Sequence, residues 1–210
     1  MNILLVVATE LEIEQEIFHR IKSSSKHQVN MLITGMGVPS TLYSLSKYVF
    51  LQKNEASPID LVINIGIAGS FKNDLKNGDI IQIVEDTYAD LGFEEQKEFK
   101  QISEIINVPL FYKNNYSFNF QIEKKRGITV NTVTDNAEKI LSLIKKFNPE
   151  IETMESAAIF DFCTKESIPF IVIRAISNSV GERDKSKWHI SLAVRNLWLT
   201  LYNFLNSLAK

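Results

Sequence analysis

The sequence predicts one α/β domain of three layers, in which helices cover both faces of a central mixed, mostly parallel β-sheet. Two observations lead to this prediction. Short runs of Val, Ile and Leu recur without the alternation of a half-exposed strand, which is typical of strands buried on both faces. Segments with apolar residues at helical spacing separate these runs. The 210 residues fit a single domain, residues 1–210, because no repeat or Pro/Gly-rich linker divides the sequence.

Six strands are expected, each from an apolar run that ends at polar or turn-forming residues. The first lies in "MNILLVVATE", whose apolar part is short and lacks a basic leader, so it is interpreted as a buried strand rather than a signal peptide or membrane span. We therefore expect a cytoplasmic protein. The predicted strands are Ile3–Ala8, Val29–Thr34, Leu61–Ile65, Asp79–Val84, Ile128–Asn131 and Phe170–Ile176.

Five helices are expected between and after these strands, from the stripe of apolar residues that each carries. The second can begin at Pro39, because the first turn of a helix leaves its N–H groups unpaired in any case. The region from Glu94 to Arg126 is the least regular, and a further helix is expected near Gln96–Ile106. The five predicted helices are Glu10–Lys22, Pro39–Leu51, Ala137–Phe147, Glu155–Lys165 and Lys187–Leu208.

Composition excludes several classes of partner. The net charge of -2 argues against nucleic acid, and the basic cluster Lys124-Lys125-Arg126 is interpreted as part of a solvated loop. The single cysteine, Cys163, cannot form an internal disulfide. Gly35-Met36-Gly37 lacks the third glycine of a dinucleotide-binding loop. We expect no metal and no cofactor, since no ligand spacing relates the three histidines, His19, His27 and His189.

Polar residues and glycines recur where predicted strands end. Ligands of open α/β sheets bind beyond the carboxyl ends of the strands, so these segments predict a binding site. They are "ATELE" after the first strand, "TGMG" after the second, "GIAGSF" after the third and "SNSVGERD" after the last, together with "ETMESAA" before a helix.

Glu12 has two interpretations. Thr9 and Glu12 fit a capping box, in which the Glu12 side chain binds the backbone at the start of a helix. Alternatively, Glu12 is a general base whose carboxylate form is favoured by that helix N-terminus. The two interpretations compete for the same side chain and both stay open.

Glu155 is unusual because it lies where a largely apolar helix begins. An unpaired buried carboxylate is costly, so Glu155 either stabilises the positive end of that helix or accepts hydrogen bonds from ribose hydroxyls, with Met154 packing on the sugar. Gly66 and Gly69 permit close approach of the backbone to a ligand, or form a tight turn.

These segments, in this order, resemble the nucleoside phosphorylase and nucleosidase superfamily. The resemblance rests on "ATELE", "GIAGSF", Gly78-Asp79, "MESAA" and "RAISN", and covers most of the chain outside Glu94 to Arg126. Two branches are similar, the methylthioadenosine/S-adenosylhomocysteine nucleosidases and the futalosine hydrolases. The resemblance implies a nucleoside phosphorylase/hydrolase-like fold, a small-molecule nucleoside substrate and a homodimer or larger homo-oligomer.

The resemblance also implies roles for individual residues. In the adenine-cleaving branch one carboxylate activates water, a second binds the ribose hydroxyls and an aspartate serves the purine N7. Glu12 and Glu155 stand at the first two positions, whereas Asn178 replaces the aspartate, and "RAISNSVGERD" followed by Trp188 is similar to the futalosine hydrolases. The implied catalytic residues are Glu12 and Asn178, and the implied substrate contacts are Glu155, Met154, Gly66, Ala68, Gly69, Thr9 and Ser177.

Asn178 favours a 6-oxopurine such as hypoxanthine, because its amide can donate to O6 while its oxygen accepts from a protonated N7. Asn is a poor proton donor, so the leaving purine takes its proton elsewhere; Asp184 is one candidate, or it pairs with Arg183 instead. Candidates for stacking on the base are Phe71 and Trp188.

Water is the expected nucleophile rather than phosphate. None of the five arginines falls within "ATELE" or "GIAGSF", and Glu10 and Glu12 would repel a phosphate dianion. We expect a futalosine hydrolase. The alternatives are an adenine nucleosidase of the methylthioadenosine/S-adenosylhomocysteine type and a non-catalytic nucleoside-binding protein.

Overall fold

A mixed sheet of eight strands forms the centre of the protein in a computed structural model that describes residues 1–52, 58–96, 98–116, 118 and 120–208. Two further strands, β5 and β6, form a separate ribbon. The strands are β1 (Asn2–Val7), β2 (Gln28–Ile33), β3 (Leu61–Ser70), β4 (Ile80–Asp86), β5 (Gly92–Glu95), β6 (Glu98–Gln101), β7 (Tyr112–Lys113), β8 (Glu123–Thr129), β9 (Ile151–Thr153) and β10 (Phe170–Ser179).

The eight-stranded sheet closes on itself. Its strand order is β10-β4-β8-β9-β3-β1-β2, with β7 on the edge of β4, and β10 also pairs with β3. Strands β3, β10, β4, β8 and β9 therefore form a ring, from which β1 and β2 extend. The pairs β1–β2, β1–β3, β3–β10, β4–β8 and β8–β9 are parallel, whereas β4–β10, β3–β9 and β4–β7 are antiparallel. The predicted mixed, mostly parallel sheet is confirmed. The closure of five of its strands into a ring was not predicted from the sequence.

Helices cover both faces of the sheet, which confirms the three layers. They are α1 (Gln15–Ser24), α2 (Val38–Gln52), α3 (Ala137–Phe147), α4 (Ser156–Lys165) and α5 (Ile190–Ser207). On one face α1 and α5 pack on Ile63 and Ile173, and on the other α2 and α4 pack on Val62 and Val172. No helix within the described residues is long and apolar enough to cross a membrane.

The first predicted helix, Glu10–Lys22, is wrong as one continuous element. A single 3₁₀ turn spans Glu10–Glu12, the chain is extended at Ile13, and α1 begins at Gln15. The indole N–H of Trp198 in α5 donates to the Glu12 carbonyl at 2.6 Å. That carbonyl therefore bonds a distant side chain instead of an N–H of a continuing helix.

The predicted helix near Gln96–Ile106 is also wrong. Strands β5 and β6 pair there as an antiparallel hairpin, and a 3₁₀ turn follows at Ile102–Glu104. Gln96 takes a φ of 52°, a left-handed conformation that reverses the chain and does not continue a helix. Lys97, inside the predicted helix, lies outside the described residues.

The basic cluster lies in β8, not in a solvated loop, and that strand begins earlier than the predicted Ile128. Lys125 is buried and pairs with Glu123 at 2.7 Å and Glu150 at 3.2 Å, while Arg126 pairs with Glu85. Two of the three positive charges are thus paired with carboxylates within the fold, whereas Lys124 is exposed.

Candidate active site

Glu12 lies just beyond the carboxyl end of β1, with its carboxylate enclosed by backbone N–H groups. Its Oε2 accepts from Ala8 N at 3.1 Å and from Thr9 N at 3.2 Å, while Oε1 accepts from Ile67 N of β3 at 2.9 Å. The bond from Thr9 N to Oε2 is the one that a capping box requires, whereas Oε1 accepts its hydrogen bond from a different strand, β3. A carboxylate offers about four lone-pair sites, so one remains for a ligand or water.

Gly66 makes room for this carboxylate. A Cβ at position 66 would lie 2.7 Å from Glu12 Oε1 and 3.6 Å from the guanidinium carbon of Arg174. The close approach of the Glu12 carboxylate to β3 therefore favours glycine here, whereas the distance to Arg174 is an ordinary contact. A tight turn is not the reason, since Gly66 is an interior residue of the strand.

Glu155 lies at the N-cap of α4, where its Oε1 accepts from Gly37 N at 2.9 Å. Gly37 has a φ of 84°, a left-handed conformation that favours glycine, so the "TGMG" loop after β2 holds this carboxylate. Burial raises the pKa of Glu155, and the nearby negative charge of Glu12 raises it further, whereas the Gly37 N–H and Arg174 lower it. The charge of Glu12 thus acts on Glu155.

Asn178 lies near the end of β10, where the register with β3 shifts between Ile176 and Asn178, so that Asn178 stands opposite Gly69. Its Nδ2 donates to Ser179 O at 2.9 Å, and its Oδ1 accepts from Ser177 Oγ at 2.8 Å. A Cβ at Gly69 would lie 3.5 Å from Asn178 Nδ2. One amide proton and one lone pair of Asn178 remain after these bonds.

The remaining predicted residues lie at the same edge of the sheet. Ser177 Oγ is 3.2 Å from Ala68 O, and both residues are buried beside Asn178. Met154 is partly buried and directly precedes Glu155, and Thr9 adjoins Glu12 through its backbone N–H. The fold therefore brings residues of β3 and β10 to the same edge as residues that follow β1 and β9, although they are far apart in the sequence.

Arg174 lies in β10, four residues before Asn178, and is fully buried. Its Nη2 donates to Ser156 Oγ at 3.0 Å and to Asn64 Oδ1, and Nη1 donates to Asn64 O at 3.3 Å and Ile173 O at 3.0 Å. Among the described residues, its hydrogen bonds go to neutral groups rather than to a carboxylate. Burial lowers its pKa, and Glu155 and Glu12 raise it through their negative charges.

A second polar group orders the start of α4. Thr129 Oγ1 donates to Asp86 Oδ1 at 2.9 Å and accepts from Ala157 N at 2.8 Å, while Thr153 Oγ1 accepts from Ser156 N at 3.3 Å. Burial raises the pKa of Asp86 to about 8. The sequence analysis missed these residues, although a lone Asn or Thr inside an apolar run is a signal of a buried hydrogen bond.

Glu152 was also missed, although it belongs to the segment "ETMESAA". It is only 7% exposed, and its Oε2 has no hydrogen-bond partner among the described residues. Burial raises its pKa to about 7, an effect that the positive charge of Arg183 opposes. In β9 it pairs with Gly69, the residue that stands opposite Asn178 on the other side of β3.

Three secondary candidates, Asp184, Phe71 and Trp188, make contacts of their own among the described residues. Asp184 is exposed and caps the turn Lys185–Lys187, and its bonds from Ser186 hold its pKa below the usual range, which suits a proton donor poorly. Phe71 packs on the apolar cluster around Ile128 and Phe147. Trp188 donates its indole N–H to Glu182 O at 2.9 Å and carries the Arg183 guanidinium over its ring.

Comparison with known proteins adds a family match. Residues 9–201 match the model of the phosphorylase superfamily. The chain is 31% identical over 198 residues to the 5'-methylthioadenosine/S-adenosylhomocysteine nucleosidase of Buchnera aphidicola subsp. Baizongia pistaciae, covering 88% of this chain and 77% of that protein. It is 24% identical over 176 residues to the futalosine hydrolase of Thermus thermophilus, covering 79% and 76%. The solved futalosine hydrolase of Helicobacter pylori has the same fold, with a TM-score of 0.82 at 16% identity over 99% of this chain and 98% of that one.

Proposed function

This chain belongs to the phosphorylase superfamily and is an N-glycosyl hydrolase, and we propose that its substrate is futalosine. The products are then hypoxanthine and dehypoxanthinylfutalosine, in the route to menaquinone that uses futalosine. The bond between the ribose C1′ and the purine N9 breaks, water supplies the hydroxyl at C1′, and the purine gains a proton. The non-catalytic alternative is set aside, because the relatives are named as enzymes that hydrolyse nucleosides.

The observation that carries the proposal is the carboxamide of Asn178 at the end of β10. After its bonds to Ser177 and Ser179, the amide keeps one N–H donor and one acceptor lone pair. Hypoxanthine offers O6 as an acceptor and, once protonated, N7–H as a donor, so the two patterns match. Adenine has an amine instead of O6, and that amine would meet the N–H of Asn178. A buried mismatch of this kind costs about 1–3 kcal/mol.

Glu12 is the proposed general base. Three backbone N–H groups hold its carboxylate, which leaves one lone-pair site to take a proton from the attacking water. Groups whose geometry is set before the reaction need no reorganisation when charge develops. Thr9 and Ile67 contribute through their backbone N–H groups, and Gly66 contributes by leaving the space that the carboxylate occupies.

Glu155 is proposed to orient the ribose by accepting hydrogen bonds from its hydroxyls, with Met154 against the sugar. The electrostatic influence of Glu12 on Glu155 supports a role for the pair. Their mutual repulsion is relieved when the ribose becomes an oxocarbenium-like cation in the transition state. Two carboxylates therefore favour the transition state over the neutral substrate.

The negative charges of these two carboxylates also favour hydrolysis over phosphorolysis. A phosphate dianion would meet the carboxylates of Glu12 and Glu155. Arg174, on which the charges of both carboxylates act, is buried and directs its bonds to Asn64, Ile173 and Ser156. Water carries no charge and is not repelled.

A second candidate is a methylthioadenosine/S-adenosylhomocysteine nucleosidase. It is favoured by the 31% identity to the Buchnera enzyme of that name, which exceeds the 24% identity to the Thermus futalosine hydrolase. The two candidates differ in the base released, adenine or hypoxanthine, and the identity of residue 178 argues for hypoxanthine.

The test is a product assay of the purified protein in buffer without phosphate, with futalosine, inosine and methylthioadenosine as separate substrates. Hypoxanthine released from futalosine supports the proposal, and Glu12→Gln is the control for a contaminating nucleosidase. Adenine released from methylthioadenosine, without cleavage of futalosine, would establish the second candidate. Stimulation of base release by added phosphate would contradict hydrolysis.

We also propose that the enzyme acts as a homodimer or larger homo-oligomer. Large apolar side chains are exposed on α2 and in the loop before it, with Met36 64%, Tyr43 68% and Phe50 68% exposed. Exposed apolar patches of this kind are typical of protein interfaces. Light scattering coupled to size-exclusion chromatography tests the proposal, and a monomeric mass at micromolar concentration would contradict it.

A further inference from the structure

The start of α2 is capped by side chains from other parts of the chain. Gly37 directly precedes the helix, and its carbonyl accepts the first helical bond, from Thr41 N at 3.1 Å. A glycine at this position has no side chain to bond the free N–H groups of the first turn. Glu155 Oε1 accepts from Gly37 N at 2.9 Å, and Asn131 Oδ1 accepts from Val38 N at 3.3 Å. Two distant residues therefore supply the caps.

The chain at the end of β8 holds the starts of two helices at once. Thr129 Oγ1 accepts from Ala157 N in α4 at 2.8 Å, and two residues later Asn131 bonds the start of α2. Helix α4 carries Glu155 at its N-cap, and Gly37 precedes α2. The segment 129–131 therefore aligns both partners of the bond between Gly37 N and Glu155, which are 118 residues apart.

Asp90 fixes the direction in which the Asn131 amide faces. Its Oδ2 accepts from Asn131 N at 2.6 Å, and its Oδ1 accepts from Asn131 Nδ2 at 3.3 Å. An ionised carboxylate only accepts hydrogen bonds, so the NH2 group has to face Asp90 and the amide oxygen has to face Val38 N. Ala89, the neighbour of Asp90, donates its N–H to Thr129 O at 2.9 Å, which keeps Asp90 beside the end of β8.

We propose that Asn131 is a positioning residue, oriented by Asp90, that acts on the ribose through Gly37 and Glu155. The inference rests on the proposed role of Glu155 as the ligand of the ribose hydroxyls, and not on the identity of the base. While Asn131 holds the start of α2, the Gly37 N–H keeps the Glu155 carboxylate in place for the ribose. Without Asn131 the start of α2 is free to shift and to take this N–H away from Glu155.

The charge of Glu155 depends on the same contact. Burial and the negative charge of Glu12 raise the pKa of Glu155, whereas the Gly37 N–H and the positive charge of Arg174 lower it. An ionised carboxylate has all its lone pairs available to the two hydroxyls, whereas a protonated one loses a site to its own hydrogen. Keeping the Gly37 N–H in place therefore favours the form of Glu155 that binds the ribose.

The test measures how strongly the protein prefers a ribose to a sugar that lacks both hydroxyls. The probes are inosine with 2′,3′-dideoxyinosine and adenosine with 2′,3′-dideoxyadenosine, so that any preference for the base cancels within each pair. The parent protein is the full chain with Glu12→Gln, which slows consumption of the nucleoside while calorimetry measures dissociation constants. All further variants are made in this parent, and thermal unfolding is recorded for each.

The variants remove or rebuild the pair of Asp90 and Asn131. Asn131→Ala removes the acceptor for Val38 N. Asp90→Asn sets one NH2 group against another, and Asn131→Asp sets two carboxylates against each other. The double variant Asp90→Asn with Asn131→Asp exchanges carboxylate and amide. An NH2 group at position 90 then meets a carboxylate at position 131, whose other oxygen accepts from Val38 N.

The matched control is Asn136→Ala. Asn136 lies in the same loop and caps α3, where its oxygen accepts from Lys139 N at 3.0 Å. Its removal is the same chemical change at another helix start, and it leaves the contacts of α2 and α4 intact. It should therefore lower Tm without changing the preference for ribose.

We expect the parent to bind each ribonucleoside roughly 10- to 100-fold more tightly than its dideoxy form, the range for hydrogen bonds to a charged group. This preference should fall by about 2- to 10-fold in each single variant at position 90 or 131, the range for a neutral hydrogen bond. It should recover to within about twofold in the double variant. A purely structural Asn131 would weaken both members of a pair equally, because the two losses would then be additive.

Three results overturn the inference. The first is an unchanged preference in Asn131→Ala. The second is a preference that falls in the single variants and does not recover in the double variant. The third is equal affinity of the parent for both members of each pair, or no binding of any of the four nucleosides. In every case release of hypoxanthine from futalosine by the unaltered protein would leave the proposed function standing.

Discussion

Glu12→Gln should cost both stability and turnover, because the carboxylate is part of the backbone hydrogen bonding as well as the proposed base. Gln supplies one oxygen and one NH2 group where Glu supplies two oxygens. The oxygen can retain the bonds from Ala8 N and Thr9 N, and the NH2 then meets the N–H of Ile67. Donor faces donor at that contact.

The size of both effects follows from this geometry. A buried donor left without a partner costs about 1–3 kcal/mol of the free energy of unfolding. For a chain of 210 residues, about 1 kcal/mol shifts Tm by about 2–4 °C, so we expect Tm to fall by about 2–12 °C. Loss of a general base should lower kcat by about 10²–10⁴-fold. Nucleoside binding should be largely retained, since Glu155 and Asn178 are untouched.

The assay compares thermal unfolding, initial rates of base release and nucleoside binding for the unaltered protein, Glu12→Gln and Glu10→Gln. Glu10 lies in the same 3₁₀ turn and is exposed, so its variant controls for a change of charge near the site. Unchanged turnover in Glu12→Gln would remove Glu12 as the base. An unchanged Tm would refute the argument from the three backbone N–H groups.

Three further outcomes are expected. Asn178→Asp should lower cleavage of 6-oxopurine nucleosides by roughly tenfold or more and shift preference towards 6-aminopurines, because an acceptor replaces the N–H donor; an unchanged ratio of kcat/KM values would refute the pairing argument. Gly66→Ala should abolish base release, since a Cβ would lie 2.7 Å from Glu12 Oε1, and wild-type rates would show that the carboxylate can move freely. Burial raises the pKa of Asp86 from 3.8 to about 8, so between these pH values the carboxyl is protonated in the folded protein and ionised in the unfolded chain. The unaltered protein therefore loses stability as the pH rises from about 4 to about 8, by at most about 1.4 kcal/mol per pH unit. Asp86→Asn has no such loss, and its stability relative to the unaltered protein should rise over this range. Urea unfolding at several pH values measures this difference, and a constant difference would contradict the protonated state of Asp86.

Local signals predicted the regular elements well. The helix Ala137–Phe147 has the predicted bounds, because Asn136 caps its start by accepting from Lys139 N and Asn148 ends it in a left-handed conformation. Both signals are contained in a few neighbouring residues. The hairpin of β5 and β6 was missed for the converse reason: its polar, charged residues do not show a clear period of two, and pairing between strands decides their conformation.

The three-residue strand β9 illustrates what local pattern cannot supply. Its residues are too few for a periodic signal, and its pairing with β3 and β8 completes the closed ring of the sheet. That pairing places Glu152 beside Gly69 and carries the chain to Glu155. A buried carboxylate thus went unnoticed inside a segment whose other carboxylate, Glu155, was predicted to be functional.

The sequence by itself determined which chemical groups are present at the ends of the strands: two carboxylates, a carboxamide and several glycines. The tertiary structure decided what each group contacts. Glu12 bonds to the N–H of Ile67, 55 residues away, and Glu155 to that of Gly37, 118 residues away. Side-chain identity and helical or strand period are local properties, whereas these partners depend on the packing and register of the whole sheet, to which every strand contributes.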